Sequence, residues 1–159
     1  MAQLLISAVG ADRPGIVGEL SAHLHSSRGN ILDSRMVKLR GQFAMMILFD
    51  CPEESARRLQ TELPEIGSKM GLDLKVLPQP IAAKPSAGMP FRLKTYSMDQ
   101  PGIVARLTGV LRSLGVNIEE LSARQESAAF SGSALFVTEI TLTVPPAVAL
   151  DTLRGKLDE

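Results

Sequence analysis

Two short segments hold the residues best suited to chemistry. Asp12-Arg13-Pro14-Gly15-Ile16-Val17 and Asp99-Gln100-Pro101-Gly102-Ile103-Val104 repeat one another 87 residues apart. At the same offset, Asn30-Ile31 recurs as Asn117-Ile118. A glycine at the start of a helix lets a ligand or another backbone come close. The helix start itself offers free N–H groups and the positive end of a dipole, a natural seat for a small carboxylate. Asp12 and Asp99 can accept a hydrogen bond from an ammonium, and Asn30 and Asn117 can both donate and accept. Together these groups match the two ends of a free amino acid. The same residues also read as plain capping: Asp-x-Pro-Gly before a helix, and an asparagine as a left-handed C-cap after it. The residues alone leave both readings open.

Other constellations carry less. His23 and His25 are two apart, not the four that puts a metal pair on one helix face. Cys51 lies in an apolar strand end with no neighbouring His or Lys to lower its pKa, so it reads as a structural thiol. Glu53-Glu54 and Glu119-Glu120 read as solvated faces. No Gly-x-Gly-x-x-Gly, Walker or Gly-x-Ser-x-Gly motif occurs. No catalytic set, metal site or cofactor is therefore expected. The seven methionines are expected to be mostly core material.

The elements that must hold the two loops follow from periodicity. Residues 3–10 alternate, with Leu4, Ile6 and Ala8 on one face, as a strand does. Pro14 suits a first helical turn. Ile16, Val17, Leu20 and Leu24 then recur at helical spacing, as do Ile103, Leu107, Val110, Leu111 and Leu114. Asn30–Arg40 and Phe43–Cys51 form a strand pair around a tight turn at Arg40-Gly41-Gln42. Pro52-Glu53-Glu54 opens a second helix, with a kink or break expected at Pro64, and Leu72–Leu77 is a last strand. The order is β-α-β-β-α-β, the ferredoxin-like arrangement.

The second copy repeats this order. Over residues 12–31 and 99–118, ten of twenty positions are identical. Beyond them the offset becomes 93, so that Phe43, Ile47 and Pro52 match Phe136, Ile140 and Pro145. The six extra residues fall in a longer hairpin loop at Gln125–Ser133. A helix at about Ala147–Leu157 follows, and no residues remain after Glu159 for a last strand. Either the chain is truncated, or the second sheet lacks that edge strand or borrows one. Between the copies, Leu77 to Pro90 contains four prolines with Gly and Ser, a linker composition. The expected division is domain 1 at 1–78, linker at 79–88 and domain 2 at 89–159.

Composition narrows the function. The chain has 159 residues, with seventeen basic and seventeen acidic side chains. Residues 1–88 hold ten bases and nine acids, and residues 89–159 hold seven and eight. The basic excess of a nucleic-acid-binding face is missing, and aromatic stacking residues are only 4%. The longest apolar run, Phe43 to Phe49, is far short of a bilayer span, and the N-terminus lacks a signal peptide's basic region. One cysteine suits a reducing cytoplasm.

The Asp12–Ile16 loop, the Gly29-Asn30-Ile31 step and the Phe43-Ala44-Met45-Met46 run resemble the ACT domain. Two copies with no enzyme attached resemble the glycine cleavage system transcriptional repressor family. The resemblance implies an α+β chain of two ACT-like domains, acting in the cytoplasm as a non-catalytic, homo-oligomeric regulator. It implies a small amino acid such as glycine as ligand, held at an interface by the first loop and the Asn-Ile region. Carried over, these are Asp12, Arg13, Pro14, Gly15, Ile16, Asn30 and Ile31, with Asp99, Gln100, Pro101, Gly102, Ile103, Asn117 and Ile118. It further implies a protein partner, a DNA-binding activator, so that this chain touches no nucleic acid itself. The alternative is an ACT-type dimerisation or interaction module with no ligand.

The copies differ. Gln100 replaces Arg13, and Ser97-Met98 replaces Gly10-Ala11, where Met98 would crowd a pocket. The first loop is therefore expected to be the better ligand site. The face turned away from the helices carries Leu5, Ser7, Val9, Ala44, Met46 and Leu48 in the first copy. In the second it carries Arg92, Lys94, Tyr96, Val137, Glu139 and Thr141. The apolar first face is expected to be covered.

Overall fold

The computed structural model describes residues 1–80, 87–127 and 134–158. The chain divides into two compact units, Met1–Ala83 and Lys84–Glu159. Residues 81–86 of the expected linker and most of the expected long loop, 128–133, lie outside the described residues. Residues 78 and 79 end a strand, and residues 125–127 extend another.

The first unit runs β1 (Ala2–Ala11), α1 (Ile16–His25), β2 (Asn30–Leu39), β3 (Gln42–Cys51), α2 (Glu53–Met70) and β4 (Leu72–Gln79). Its strands form an antiparallel sheet in the order β2-β3-β1-β4. Alternation decides which side is covered. Leu4, Ile6 and Ala8 of β1 are buried with Phe43, Met45, Ile47, Phe49 and Cys51 of β3. Ile16, Leu20 and Leu24 of α1 and Ala56, Leu59 and Leu63 of α2 close the same core. Arg40 and Gly41, with φ of 46° and 82°, make the two-residue turn from Leu39 to Gln42. Two positive φ angles give the primed turn that matches the twist of a hairpin.

Helix α2 does not break at Pro64 but continues to Met70. Pro64 is exposed, while Leu59, Leu63 and Gly67 lie buried on the opposite side. Each leucine gains about 1.5–3 kcal/mol by burial. Together they offset the roughly 3 kcal/mol cost of an interior proline.

The second unit runs β5 (Met89–Met98), α3 (Ile103–Ser113), β6 (Asn117–Ser127), β7 (Ala134–Val144) and α4 (Leu150–Asp158). Its sheet has three strands, β5-β7-β6, and no counterpart of β4 among the described residues. Helix α4 begins at Leu150 instead of Ala147, after a turn in which Val148 N–H donates to Pro145 O. The duplication extends to an irregularity. Both β2 and β6 carry a bulge one residue beyond the repeated Asn-Ile, between Ile31 and Asp33 and between Ile118 and Glu120.

The methionine expectation is corrected. Only Met45 is buried and Met70 half-buried, whereas Met1, Met36, Met46, Met89 and Met98 are exposed. Met46 and Met98 lie on outer sheet faces and Met36 on β2, which is exposed along its whole length. Among the described residues no helix is long and apolar enough to cross a membrane.

Candidate functional site

Both repeated loops join a strand to a helix through a glycine. Gly15 and Gly102 are the N-cap residues, with φ of 93° and 89°. This left-handed conformation, more than a need for close approach, explains glycine there. A side chain at Gly102 would meet nothing within 4 Å, and at Gly15 only the Glu19 carboxylate at 3.3 Å. The helices therefore start at Ile16 and Ile103, and Pro14 and Pro101 lie in the turn before them.

Neither aspartate caps its helix. Asp12 instead forms an ion pair with Lys38 of β2, Oδ2 to Nζ 2.5 Å. Asp99 accepts a hydrogen bond from Gln125 Nε2. Lys38 and Gln125 hold the same register position, opposite Phe43 and Phe136. The repeated aspartate thus has one job in both copies, pinning the loop to the next strand. The pin is ionic in the first unit and neutral in the second.

Arg13 is also engaged. Its Nη1 and Nη2 donate to Glu19 Oε1 and Oε2 at 2.6 and 2.7 Å, a two-point ion pair over the first turn of α1. The hydrogen bonds from Arg13 hold the Glu19 carboxyl below its ordinary value and raise the guanidinium's own pKa. The charge expected to receive a carboxylate is therefore already neutralised. The second copy has Gln100 and Arg106 at these two places, with no side-chain hydrogen bond or ion pair among the described residues.

The two asparagines are not C-caps. The left-handed residues after α1 and α3 are Arg28, φ 58°, and Gly115, φ 67°. Asn30 and Asn117 open β2 and β6 and are exposed. Asn117 Nδ2 donates to Glu119 Oε1 at 2.6 Å, and Thr143 Oγ1 donates to the same atom at 2.8 Å. These hydrogen bonds, that from Thr143 foremost, lower the Glu119 pKa. Glu119 is the bulge residue. Its counterpart in the first unit is Leu32, so the Asn30 side chain has no such acceptor.

The loop and the asparagine of one unit do not meet. Asn30 is in register with Asp50, which pairs with Gln3 near the start of β1. The Asp12 loop follows Ala11 at the other end of that strand. Nine rungs of sheet separate them, about 30 Å.

Sequence reasoning missed the cavity of about 460 Å³ in the second unit, lined by Gln100, Ile103, Arg106 and residues of β5 and α4. The substitution of Glu19 by Arg106 was its only signal in the sequence. Asn117 and Ile118 line a shallower depression with Thr108 and Arg112. Cys51 is buried, and burial pushes its thiol pKa up, as for a structural residue. No cluster of metal-ligating side chains occurs among the described residues.

The outer faces differ as the sequences do. Val9 and Met46 are each 50% exposed on the first sheet, with Val37 and Leu77 beside them. The second sheet carries a charge ladder instead. Glu139 accepts from Lys94 at 3.0 Å and from Arg124 at 3.1 Å, which lowers its pKa. The Lys94 ammonium lies 5.3 Å from the Tyr96 ring centre.

Comparison with known proteins agrees with this architecture. Residues 2–77 match the ACT domain family. The chain is 31% identical over 144 residues to the glycine cleavage system transcriptional repressor of Escherichia coli K12, covering 89% of this chain and 75% of that one. A UPF0237 protein of Methanopyrus kandleri is 38% identical over 78 residues, 48% of this chain and 87% of its own. A solved structure of an unknown protein from Galdieria sulphuraria superposes with a TM-score of 0.83 at 27% identity, covering 99% of this chain and 89% of that one. With the duplicated loop, the duplicated bulge and similarity over both units, the chain belongs to the glycine cleavage system transcriptional repressor family of tandem ACT-domain proteins.

Proposed function

We propose that this protein is a non-catalytic, amino-acid-responsive regulator of transcription in the cytoplasm, acting through a protein partner and not on DNA directly. The observation that carries the reading is similarity to a transcriptional repressor across 89% of the chain, through both repeats. The even charge balance of both halves supports an indirect route to DNA.

The ligand is a small amino acid, with glycine the first candidate. The first loop, Asp12 to Ile16, with Asn30 and Ile31, is the better site, because Asn117 is already held by Glu119. Arg13 takes the carboxylate only by exchanging Glu19, so the loop N–H groups are the first contact. One small molecule cannot reach both ends of a sheet. The ligand therefore joins the loop of one chain to the asparagine of another, and the regulator is a homo-oligomer. The apolar outer face around Val9 and Met46 supports such assembly. Ligand would bias two arrangements of the oligomer by its different affinity for each.

Thermal unfolding in the presence of each of the twenty amino acids tests this. A selective rise with one small amino acid, reduced in Asn30→Ala and in Gly15→Leu but less in Gly102→Leu, is expected. No selective rise would leave the ligand-free interaction module as the function.

A further inference from the structure

We infer that the outer face of the first sheet packs against the same face of a second copy of this chain, in a closed two-fold dimer in which the second sheet takes no part. The inference rests on the homo-oligomer proposed above and names its surface. The amino-acid ligand has no role in it.

The face is apolar where a solvated one would be polar. Leu5 and Val9 of β1 and Ala44, Met46 and Leu48 of β3 form its middle, with Val9 and Met46 half exposed. An antiparallel sheet with one free side normally turns polar residues outward. The second sheet does so, and Lys94, Glu139 and Arg124 tie its three strands together by ion pairs. Taking that network out of water is unfavourable. The second sheet therefore offers no match for the first.

The area suits a pair of copies. The sheet has three strands of ten residues and one of eight. At about 4.8 Å between strands and 3.4 Å per residue it presents roughly 600 Å². Two such faces bury about 1,200 Å², the lower end of the range for a specific, stable interface.

Charge identifies the occupant as another copy. On the edge strand β2, Asp33 stands in the row of Leu48 and Leu5, and Arg35 in the next outward-facing row with Met46 and Ser7. The two pair at 2.9 Å and both stay more than half exposed. On the other edge, Lys75 lies in the row of Ser7 and Asp73 in that of Val9, paired at 3.5 Å. Each edge thus holds an acid and a base one row apart. A two-fold axis crossing the strands between the Asp33 and Arg35 rows lays Leu48 over the partner's Met46 and Asp33 over the partner's Arg35. The same axis returns both contacts in reverse, which is the self-complementarity an isologous interface needs. Edges of a single sign would repel their own copy.

The test is sedimentation of the 159-residue chain over a concentration series, without amino acid. A reversible dimer is expected. Asp33→Arg and Arg35→Asp should each weaken it about tenfold or more, because each sets like charges across the interface. An equimolar mixture of the two variants should dimerise again, since each base then faces an acid. Thermal unfolding of both variants should stay close to that of the parent, as the positions are exposed. Arg92→Glu, on the second sheet, should leave the dimer unchanged. A dimer indifferent to both charge reversals, no recovery on mixing, or loss of the dimer in Arg92→Glu would overturn this surface and leave the homo-oligomer standing. A chain monomeric at every concentration would overturn both, and the face would then be covered by another protein.

Discussion

At the residue scale, duplication separates what the fold needs from what one copy can spare. The loop glycines keep their left-handed φ in both units, and the loop aspartates keep their tie to the following strand. Arg13 and Glu19 are not kept. Their ion pair is exposed, where pairs contribute little to stability, so its loss in the second copy frees Arg106 at small cost. The Glu19 pKa is lowered in the fold. Its contribution is therefore complete above the ordinary value of 4.5 and is lost as pH falls through the lower, folded value. Carboxyl NMR titration of Arg13→Gln should show the Glu19 pKa moving up toward the ordinary value. An unchanged pKa would mean the pair does not form in solution.

At the element scale, tertiary burial overrides local preference in α2. Pro64 removes one N–H donor from the middle of the helix, yet the apolar stripe on both sides keeps it continuous. Replacement should therefore stabilise. Pro64→Ala is expected to gain about 2 kcal/mol, less any loss from a freer unfolded chain. Urea denaturation should show this as a higher midpoint at unchanged slope. Alternation made the strands legible, including their inward faces, because a half-covered sheet writes its burial at every second residue. Helix starts were less legible. Pro14 and Asp12 have the types of an N1 and a cap, but the turn that sets them is decided by Gly15 and Lys38.

For the whole molecule, the two units share a plan but not a core. The first packs one large cluster that includes Phe43, Phe49, Leu59, Leu63, Leu72 and Leu74. Among the described residues the buried cluster of the second comprises Leu111, Val116, Ile140, Leu142, Val144 and Leu153. Stability follows buried apolar area, and local opening begins where it is least. Hydrogen exchange should accordingly release the amides of residues 89–127 and 134–144 before those of 2–79. The opposite order would show that core size does not set the sequence of opening.

The chain by itself determined the repeat, the order of elements, the inward strand faces and the two loops, because these follow from residue types at short, regular spacings. Tertiary structure decided what those residues do. It set Asp12 against Lys38 and Arg13 against Glu19, placed Asn30 about 30 Å from its own loop, and brought Arg106 and Lys156 to line one cavity. Partners in an ion pair and walls of a cavity come from segments distant in sequence, and only the packing of the sheet brings them together.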